Sequence, residues 1–249
     1  MSRPIPNGWH FRQGPVARQF RSPATWFIVA TTVISYFVQL YYVFGLDSLA
    51  YDRLLAYNAA SFERGDWWQI WTYAWLHAEV MPLHIIINLW MIILLGPVLE
   101  RTIGTLRFVV LYLLAAPASV LAFDLFQNDN TITLVGASGC AFALLAAVSV
   151  LYPTRRIGVL LFFILPLRMR LATFTIVICA AEAVMLAFGW LSFIAHAAHL
   201  GGAAAGLILA LLFRPEENHT AIDPDGTRRQ LEAQIGGKPV DVVILPPPR

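Results

Sequence analysis

The chain has 249 residues, of which 58% are hydrophobic and only 13% carry a charge. Together with a mean hydropathy of +0.65, this composition excludes an ordinary soluble domain and is typical of an integral membrane protein. The formal net charge is only +2, so the composition gives no indication of a nucleic-acid partner.

Apolar runs along the chain predict the number of membrane crossings. A bilayer core about 30 Å thick needs roughly 20 apolar residues per helix, and six runs approach or reach this length. They are Trp26–Gly45, Val80–Leu99, Phe108–Phe126, Leu134–Tyr152, Leu171–Leu191 and Phe193–Phe213. We therefore predict an all-α polytopic membrane protein with six transmembrane helices. The shorter run Ile157–Leu167 contains Pro166 and is flanked by arginines, so we expect it at the membrane interface.

The basic residues predict the orientation of these spans. Every Lys and Arg except Arg53 and Arg64 falls in the N-terminal tail, the second-to-third loop, the fourth-to-fifth loop or the C-terminal tail. Six spans place these segments on one side, and cytoplasmic loops carry the basic excess. We expect a prokaryotic inner membrane with both termini cytoplasmic. The expected parts are a tail over 1–25, a membrane domain over 26–213 and a tail over 214–249.

Polar residues inside the predicted spans need a reason, because polar groups at membrane depth cost free energy. His84 and Asn88 are four residues apart and share one face of the second span. Ser138 lies near the start of the fourth span within Gly136-Ala137-Ser138-Gly139, and His199 lies near the start of the sixth. Since the even-numbered helices run in the same direction, these residues are predicted to share one layer near the outer face, within reach of water.

Small residues predict a close approach of the fourth and sixth helices. Gly202–Gly206 is a GxxxG element, and Gly139 and Ala143 follow the same four-residue spacing. Such residues let helix backbones touch in a membrane. Ser138 can then reach His199, and histidine is the usual base that activates a hydroxyl nucleophile.

The same layer favours a pair over a triad, because no carboxylate lies there on an even-numbered span. His196 competes with His199 for the role of base, and the spacing to Gly202 favours His199. Glu182 is near the middle of the fifth span, so we expect it to make structural hydrogen bonds and leave it out of the catalytic set. The side chains of His84 and Asn88 are donors of the kind that stabilise a developing oxyanion.

Taken together, these motifs resemble those of the rhomboid intramembrane serine proteases. The matching pieces are His84-x-x-x-Asn88, Gly136-Ala137-Ser138-Gly139, Ala198-His199-Leu200-Gly201-Gly202 with Gly206, and Glu100-Arg101 with Gly104. The resemblance implies that Ser138 is the nucleophile, His199 the general base and acid, and His84 and Asn88 oxyanion-site residues. It also implies transmembrane protein substrates, a membrane-embedded first outer loop, and gating of substrate entry by the fifth helix and its neighbouring loop.

One feature departs from that resemblance, and one loop is open to two interpretations. Many family members carry a histidine five residues before the position of His84, whereas His77 lies seven before it, which puts a role for His77 in doubt.

The first outer loop, from about Leu46 to Glu79, is rich in tryptophan. These tryptophans fit an interfacial anchor and a substrate-contacting surface equally well.

Three other functions compete with proteolysis. A binding protein of the same superfamily would recognise transmembrane helices without cutting them, but such proteins commonly lack the nucleophile or the base. A bundle that ligates haem or a metal through His84, His196 and His199 leaves the Gly136–Gly139 motif unexplained. A transporter with Glu182 as proton site has no repeat to support it. We expect no cofactor and no metal, and the sequence does not predict the oligomeric state.

Overall fold

The computed structural model describes residues 22–127, 129–161, 165–191 and 194–214, so most of the two expected tails lies outside the described residues. In chain order the helices are α1 (Pro23–Leu40), α2 (Ala50–Leu55), α3 (Ala59–Glu63), α4 (Gln69–Thr72), α5 (Pro82–Ile103), α6 (Thr105–Phe126), α7 (Ser138–Leu151), α8 (Leu171–Phe188) and α9 (His196–Leu212). A π-helical turn, Tyr41–Gly45, extends α1.

Each of the six apolar runs contains a helix, but the helices differ in length. Among the described residues, four helical segments are long and apolar enough to cross a membrane, namely Pro23–Gly45, α5, α6 and α8. The other two, α7 and α9, have 14 and 17 residues. At 1.5 Å per residue, a 14-residue helix spans only about 21 Å. Six crossings therefore remain a prediction, while a mostly helical membrane fold is established.

The segment between α7 and α8 forms a small hairpin within the otherwise helical fold. Strands β1 (Arg156–Leu161) and β2 (Leu165–Arg170) pair antiparallel, with Arg156 opposite Arg170 and Leu161 opposite Leu165. Gly158 and Pro166 both disfavour a helix, and the hairpin satisfies the backbone groups of this short run instead. Among the described residues, this segment contains no helix long and apolar enough to cross a membrane, and its expected place at the membrane interface stays a prediction.

The connection between α1 and α5 is a folded element and contacts two long helices. The indole of Trp71 donates to the Leu113 carbonyl of α6, and the indole of Trp75 donates to the Thr31 hydroxyl of α1. Trp67, in contrast, is 61% exposed. Part of the tryptophan cluster thus anchors the connection to the helices, and an interfacial role remains a prediction for Trp67.

The same connection forms backbone hydrogen bonds with the residues that precede α7. Tyr57 and Leu134 exchange two backbone hydrogen bonds, and the Gly136 N–H donates to the Tyr73 carbonyl. The Tyr73 hydroxyl in turn donates to the Ala116 carbonyl of α6. The sequence-based start of the fourth helix at Leu134 is therefore wrong. Leu134 and Gly136 bond to another part of the chain, and the helix begins at Ser138.

Glu100, near the end of α5, binds the beginning of α1. Its carboxylate accepts from the backbone N–H groups of Ala24 and Thr25 and from the hydroxyls of Thr25 and Thr105. The side chain is almost fully buried, with 1% exposure. A carboxylate at a helix N-terminus satisfies donors that have no intrahelical acceptor and lies favourably in the helix dipole. Glu100 thus joins three helices through one group.

Gln39 joins α1 to the connection between α1 and α5 by binding two carboxylates. Its amide donates to Asp52 of α2 and to Glu79, at 2.6 Å each, and its carbonyl accepts from the His77 N–H. Burial and the neighbouring Glu79 raise the pKa of Asp52 from 3.8 to about 6. Between about pH 4 and pH 6, Asp52 therefore keeps a proton in the folded protein that the unfolded chain has already lost.

We expect Glu100→Ala to destabilise the fold, because it leaves buried N–H groups at the start of α1 without an acceptor. The cost should be about 3 kcal/mol, or a fall of about 10 °C in the unfolding midpoint measured in detergent. The neighbouring Arg101 is exposed, and Arg101→Ala is the control. Equal falls for the two variants would contradict this function of Glu100.

Asp52→Asn should stabilise the protein at pH 7.5 and have little effect at pH 4. When folding raises the pKa of a carboxyl, the free energy of unfolding of the protein falls as the pH rises from about 4 to about 6. The protein stays destabilised above that range. Asparagine keeps the acceptor for Gln39 without the charge. Unfolding midpoints at both pH values test this, with exposed Glu63→Gln as control. An equal shift at pH 4 and pH 7.5 would exclude titration of Asp52 as the cause.

Candidate active site

Ser138 and His199 meet where α7 and α9 begin. Ser138 is the first residue of α7, and His199 lies in the first turn of α9. The distance from His199 Nε2 to Ser138 Oγ is 2.8 Å, which is a good hydrogen-bond length. The His199 side chain is 10% exposed, and Ser138 is half-buried. This geometry lets Nε2 accept the hydroxyl proton.

Contact between the backbones of α7 and α9 makes this pairing possible. A Cβ atom at Gly202 would collide with the Gly139 carbonyl group, and one at Gly206 would collide with the Ala143 backbone. Both glycines are buried, so the close approach predicted from the small residues is confirmed. Because Gly202 lies one turn after His199, and Gly139 follows Ser138, this contact brings the two polar side chains together.

Phe142 fixes the plane of the His199 ring. The two rings are stacked, with centroids 4.4 Å apart and an interplanar angle of 7°. Phe142 follows Ser138 by four residues and so lies on the same face of α7. The sequence analysis missed this residue, although its spacing from Ser138 was a usable signal. The stack leaves the ring nitrogens free to bind groups at its edge.

Gly136 lets His84 approach Ser138. Its φ of +117° is a backbone conformation that favours glycine, and a Cβ there would lie only 2.7 Å from His84 Nε2. His84 Nδ1 accepts from the Ala78 N–H at 3.3 Å. In a neutral imidazole the proton must then be on Nε2. His84 therefore directs an N–H donor toward the segment that carries Ser138.

Asn88 lies one turn beyond His84 and is 3% exposed. Its amide donates to the His84 carbonyl at 2.9 Å. The two residues share one face of α5, as their spacing predicts. The resting structure thus brings His84 close to Ser138 and holds Asn88 by its own helix.

Glu182 lies beside His199, which the sequence analysis did not anticipate. Its Oε2 atom is 2.5 Å from His196 Nδ1 and 3.1 Å from His199 Nδ1. His196 Nε2 lies 2.9 Å from the Trp190 carbonyl. Glu182 does make a hydrogen bond, but it lies closer to the proposed site than the sequence analysis expected. Because α8 ends at Phe188 rather than at Leu191, Glu182 is within about two turns of the helix end.

His77 is completely buried against His84 despite its irregular spacing in the sequence. The two ring centroids are 5.1 Å apart. Burial, with a smaller effect of His84, lowers the pKa of His77 to about 3, so this imidazole is neutral at physiological pH. His77 therefore acts as a neutral packing partner of His84.

The three histidines considered as haem or metal ligands do not form one cluster. His196 and His199 lie near Glu182, with ligand atoms within 4.8 Å of one another, whereas His84 binds the Ala78 N–H and lies against Gly136. A bundle that ligates one group through all three histidines does not fit this arrangement.

The chain is similar in sequence to a known family and to several plant proteins. The Rhomboid domain family matches residues 64–216. RHOMBOID-like protein 1 of Arabidopsis thaliana is 31% identical over 183 residues, covering 69% of this chain and 42% of the relative. RHOMBOID-like protein 4 of the same plant is 28% identical over 181 residues, covering 69% and 41% respectively. The chain thus spans less than half the length of these relatives.

The matched region contains Ser138 together with His84, Asn88, Glu182, His196 and His199. It begins in the connection after α1 and runs past the end of α9, so it covers α5, α7, α8 and α9 completely. The family match extends over more than half of the chain, and the apolar helices are those of an integral membrane protein. The chain belongs to the rhomboid family.

Proposed function

We propose that this chain is an intramembrane serine endopeptidase that hydrolyses peptide bonds in or near the transmembrane segments of membrane proteins. Membership of the rhomboid family supports intramembrane proteolysis at the level of the family. The single observation that carries the proposal is the 2.8 Å contact between His199 Nε2 and Ser138 Oγ. A nucleophile and base within hydrogen-bond reach are the signature of covalent catalysis.

In the proposed mechanism Ser138 Oγ attacks the carbonyl carbon of the substrate while its proton passes to His199 Nε2. The tetrahedral intermediate collapses, the C–N bond breaks, and His199 gives the proton to the leaving amine. An ester on Ser138 remains. Water, deprotonated by His199, then attacks this ester, releases the new carboxyl group and restores the serine hydroxyl.

The oxyanion of each tetrahedral intermediate needs donors beside Ser138. The first N–H groups of α7 have no intrahelical acceptor and lie at the positive end of the helix dipole. The Nε2–H of His84 points to the same segment, as its hydrogen bond from Ala78 requires. We assign His84 and Asn88 to this oxyanion site, with Asn88 close by on the same face of α5.

The partners and the membrane orientation of the protein are inferred from the sequence and the helices together. The partners are a lipid bilayer and transmembrane protein substrates, and no nucleic acid is implied. We propose six crossings, with both termini on the cytoplasmic side where the basic residues lie. The relatives come from a plant, so they give no support to a prokaryotic membrane.

A non-proteolytic binder of transmembrane helices is the alternative function. Recognition of a helix requires neither a nucleophile nor a base, and the contact between Ser138 and His199 would then have no use. An assay of bond cleavage separates the two functions directly, because a binder retains substrate without cutting it.

Ser138→Ala and His199→Ala should each abolish proteolysis. We expect cleavage of a model transmembrane substrate in proteoliposomes to fall by at least about 1,000-fold. A fluorophosphonate probe should label the wild type at Ser138 and fail to label either variant.

Ser149→Ala is the matched control for this experiment. Ser149 is buried in α7 and its hydroxyl donates to the Ala146 carbonyl, so its loss removes a serine from the same helix without touching the pair. Labelling or cleavage that persists in Ser138→Ala would overturn the proposed function.

Loss of the oxyanion donors should reduce kcat more than it changes KM. We expect His84→Ala and Asn88→Ala each to lower kcat by about 100-fold, since one such donor stabilises the transition state by roughly 3 kcal/mol. Exposed Asn130→Ala is the control. A variant with wild-type kcat would remove that residue from the oxyanion site.

A further inference from the structure

We propose that Glu182, anchored by His196, is a positioning residue that orients His199 and balances the charge that His199 gains during catalysis. This extends the pair to a Ser–His–Glu arrangement, with the carboxylate supplied by a different helix from either partner. The inference rests on the proposed function, because it concerns the base of that reaction.

The two nitrogens of His199 face two different groups. Nε2 lies 2.8 Å from Ser138 Oγ, and Nδ1 lies 3.1 Å from Glu182 Oε2. For Nε2 to accept the serine proton, the proton of the neutral ring must be on Nδ1. Glu182 Oε2 is within ion-pair distance of that nitrogen, without an aligned hydrogen bond in the resting structure, and its negative charge favours this tautomer. When Nε2 becomes protonated, the same carboxylate lies next to the imidazolium.

His196 holds the carboxylate in this position. Its Nε2 faces the Trp190 carbonyl, which can only accept, so Nε2 carries a proton. Its Nδ1 is 2.5 Å from Glu182 Oε2, and one proton must lie between these two atoms. We assign this proton to the imidazole, so that Glu182 stays a carboxylate and Oε2 keeps a lone pair directed at His199.

The presence of an ionisable residue, Glu182, in an apolar helix also needs an explanation. It lies on α8, whose sequence is otherwise apolar over Leu171–Phe188 apart from two threonines and a cysteine, and its side chain is 15% exposed. An ionisable group in such a helix costs a few kcal/mol unless it has partners. Here its partners are the proposed catalytic base and the histidine one turn before it.

The distances fit a shared proton better than a bound metal ion, although the residue types would suit either. Two ligands of one tetrahedral zinc ion, at about 2.0–2.1 Å from it, lie roughly 3.3 Å apart. The 2.5 Å between His196 Nδ1 and Glu182 Oε2 is shorter than this separation and corresponds to a short hydrogen bond.

The test compares Glu182→Gln, which keeps the shape, with Glu182→Asp, which keeps the charge. In proteoliposomes we expect Glu182→Gln to lower kcat by about 100-fold with KM changed by less than about threefold. Glu182→Asp should retain more activity than Glu182→Gln. A residue needed only for packing would give the opposite order, because glutamine replaces the shape of glutamate more closely.

His196 supplies a second and independent measurement. We expect His196→Gln to lower kcat by a smaller factor, and the double variant with Glu182→Gln to be no worse than Glu182→Gln alone, since His196 acts through Glu182. If Glu182→Gln fails to fold, Glu182→Asp and His196→Gln still report on the arrangement. Wild-type kcat in both would overturn it. The control is Thr175→Val, because Thr175 lies on α8 and its hydroxyl donates only to the Leu171 carbonyl of the same helix.

The outcomes separate this inference from the proposed function. Wild-type cleavage that is lost in Ser138→Ala but retained within twofold in Glu182→Gln overturns the positioning role and leaves the protease intact. A wild-type protein with no cleavage that depends on Ser138 overturns both.

Discussion

The contact between the backbones of α7 and α9 is the constraint on which the site depends. Gly202 and Gly206 pack directly on the backbone of α7, and a single methyl group at either position would push the helices apart. Lipid tails are as apolar as the helix surfaces, so close packing of this kind replaces the hydrophobic effect as a source of helix association. The same contact sets the separation of Ser138 and His199, because each lies within one turn of a touching residue. Stability and chemistry therefore depend on the same few atoms.

Two carboxylates in this apolar environment have different tasks. Glu100 binds backbone and hydroxyl donors at the start of α1 and so determines how the first helix packs on α5. Glu182 binds two histidines and so connects α8 to α9. Both avoid the cost of an unpaired charge through polar partners, but of the two only Glu182 lies next to groups that can exchange protons. The partners of a buried carboxylate, rather than its burial, distinguish a structural group from a proposed functional one.

Much of this arrangement could be predicted from the sequence, because apolar runs and small-residue spacing are strong signals in membrane proteins. The features that the sequence did not predict depend on contacts between segments that are distant along the chain. The start of α7 at Ser138 follows from backbone bonds with Tyr57 and Tyr73, which hydropathy does not reveal. The hairpin β1–β2 replaces a short apolar run whose length alone fits several structures. The position of Glu182 depends on where α8 ends, and element ends are the least reliable part of any sequence-based prediction. An error of about one turn there was enough to separate Glu182 from His199.

The packing of α8 gives the arrangement a further property. Its buried residues, Leu171 and Thr175, both lie in its first turns, far from Glu182. The half of α8 that carries the carboxylate is half-buried or exposed among the described residues, and its contacts with His196 and His199 connect it to α9. Under the proposed positioning role, the orientation of His199 depends on a part of the helix that the rest of the protein does not bury. The thickness and lateral pressure of the surrounding bilayer would then act on the proposed base, in the way that a regulatory subunit acts on a soluble enzyme.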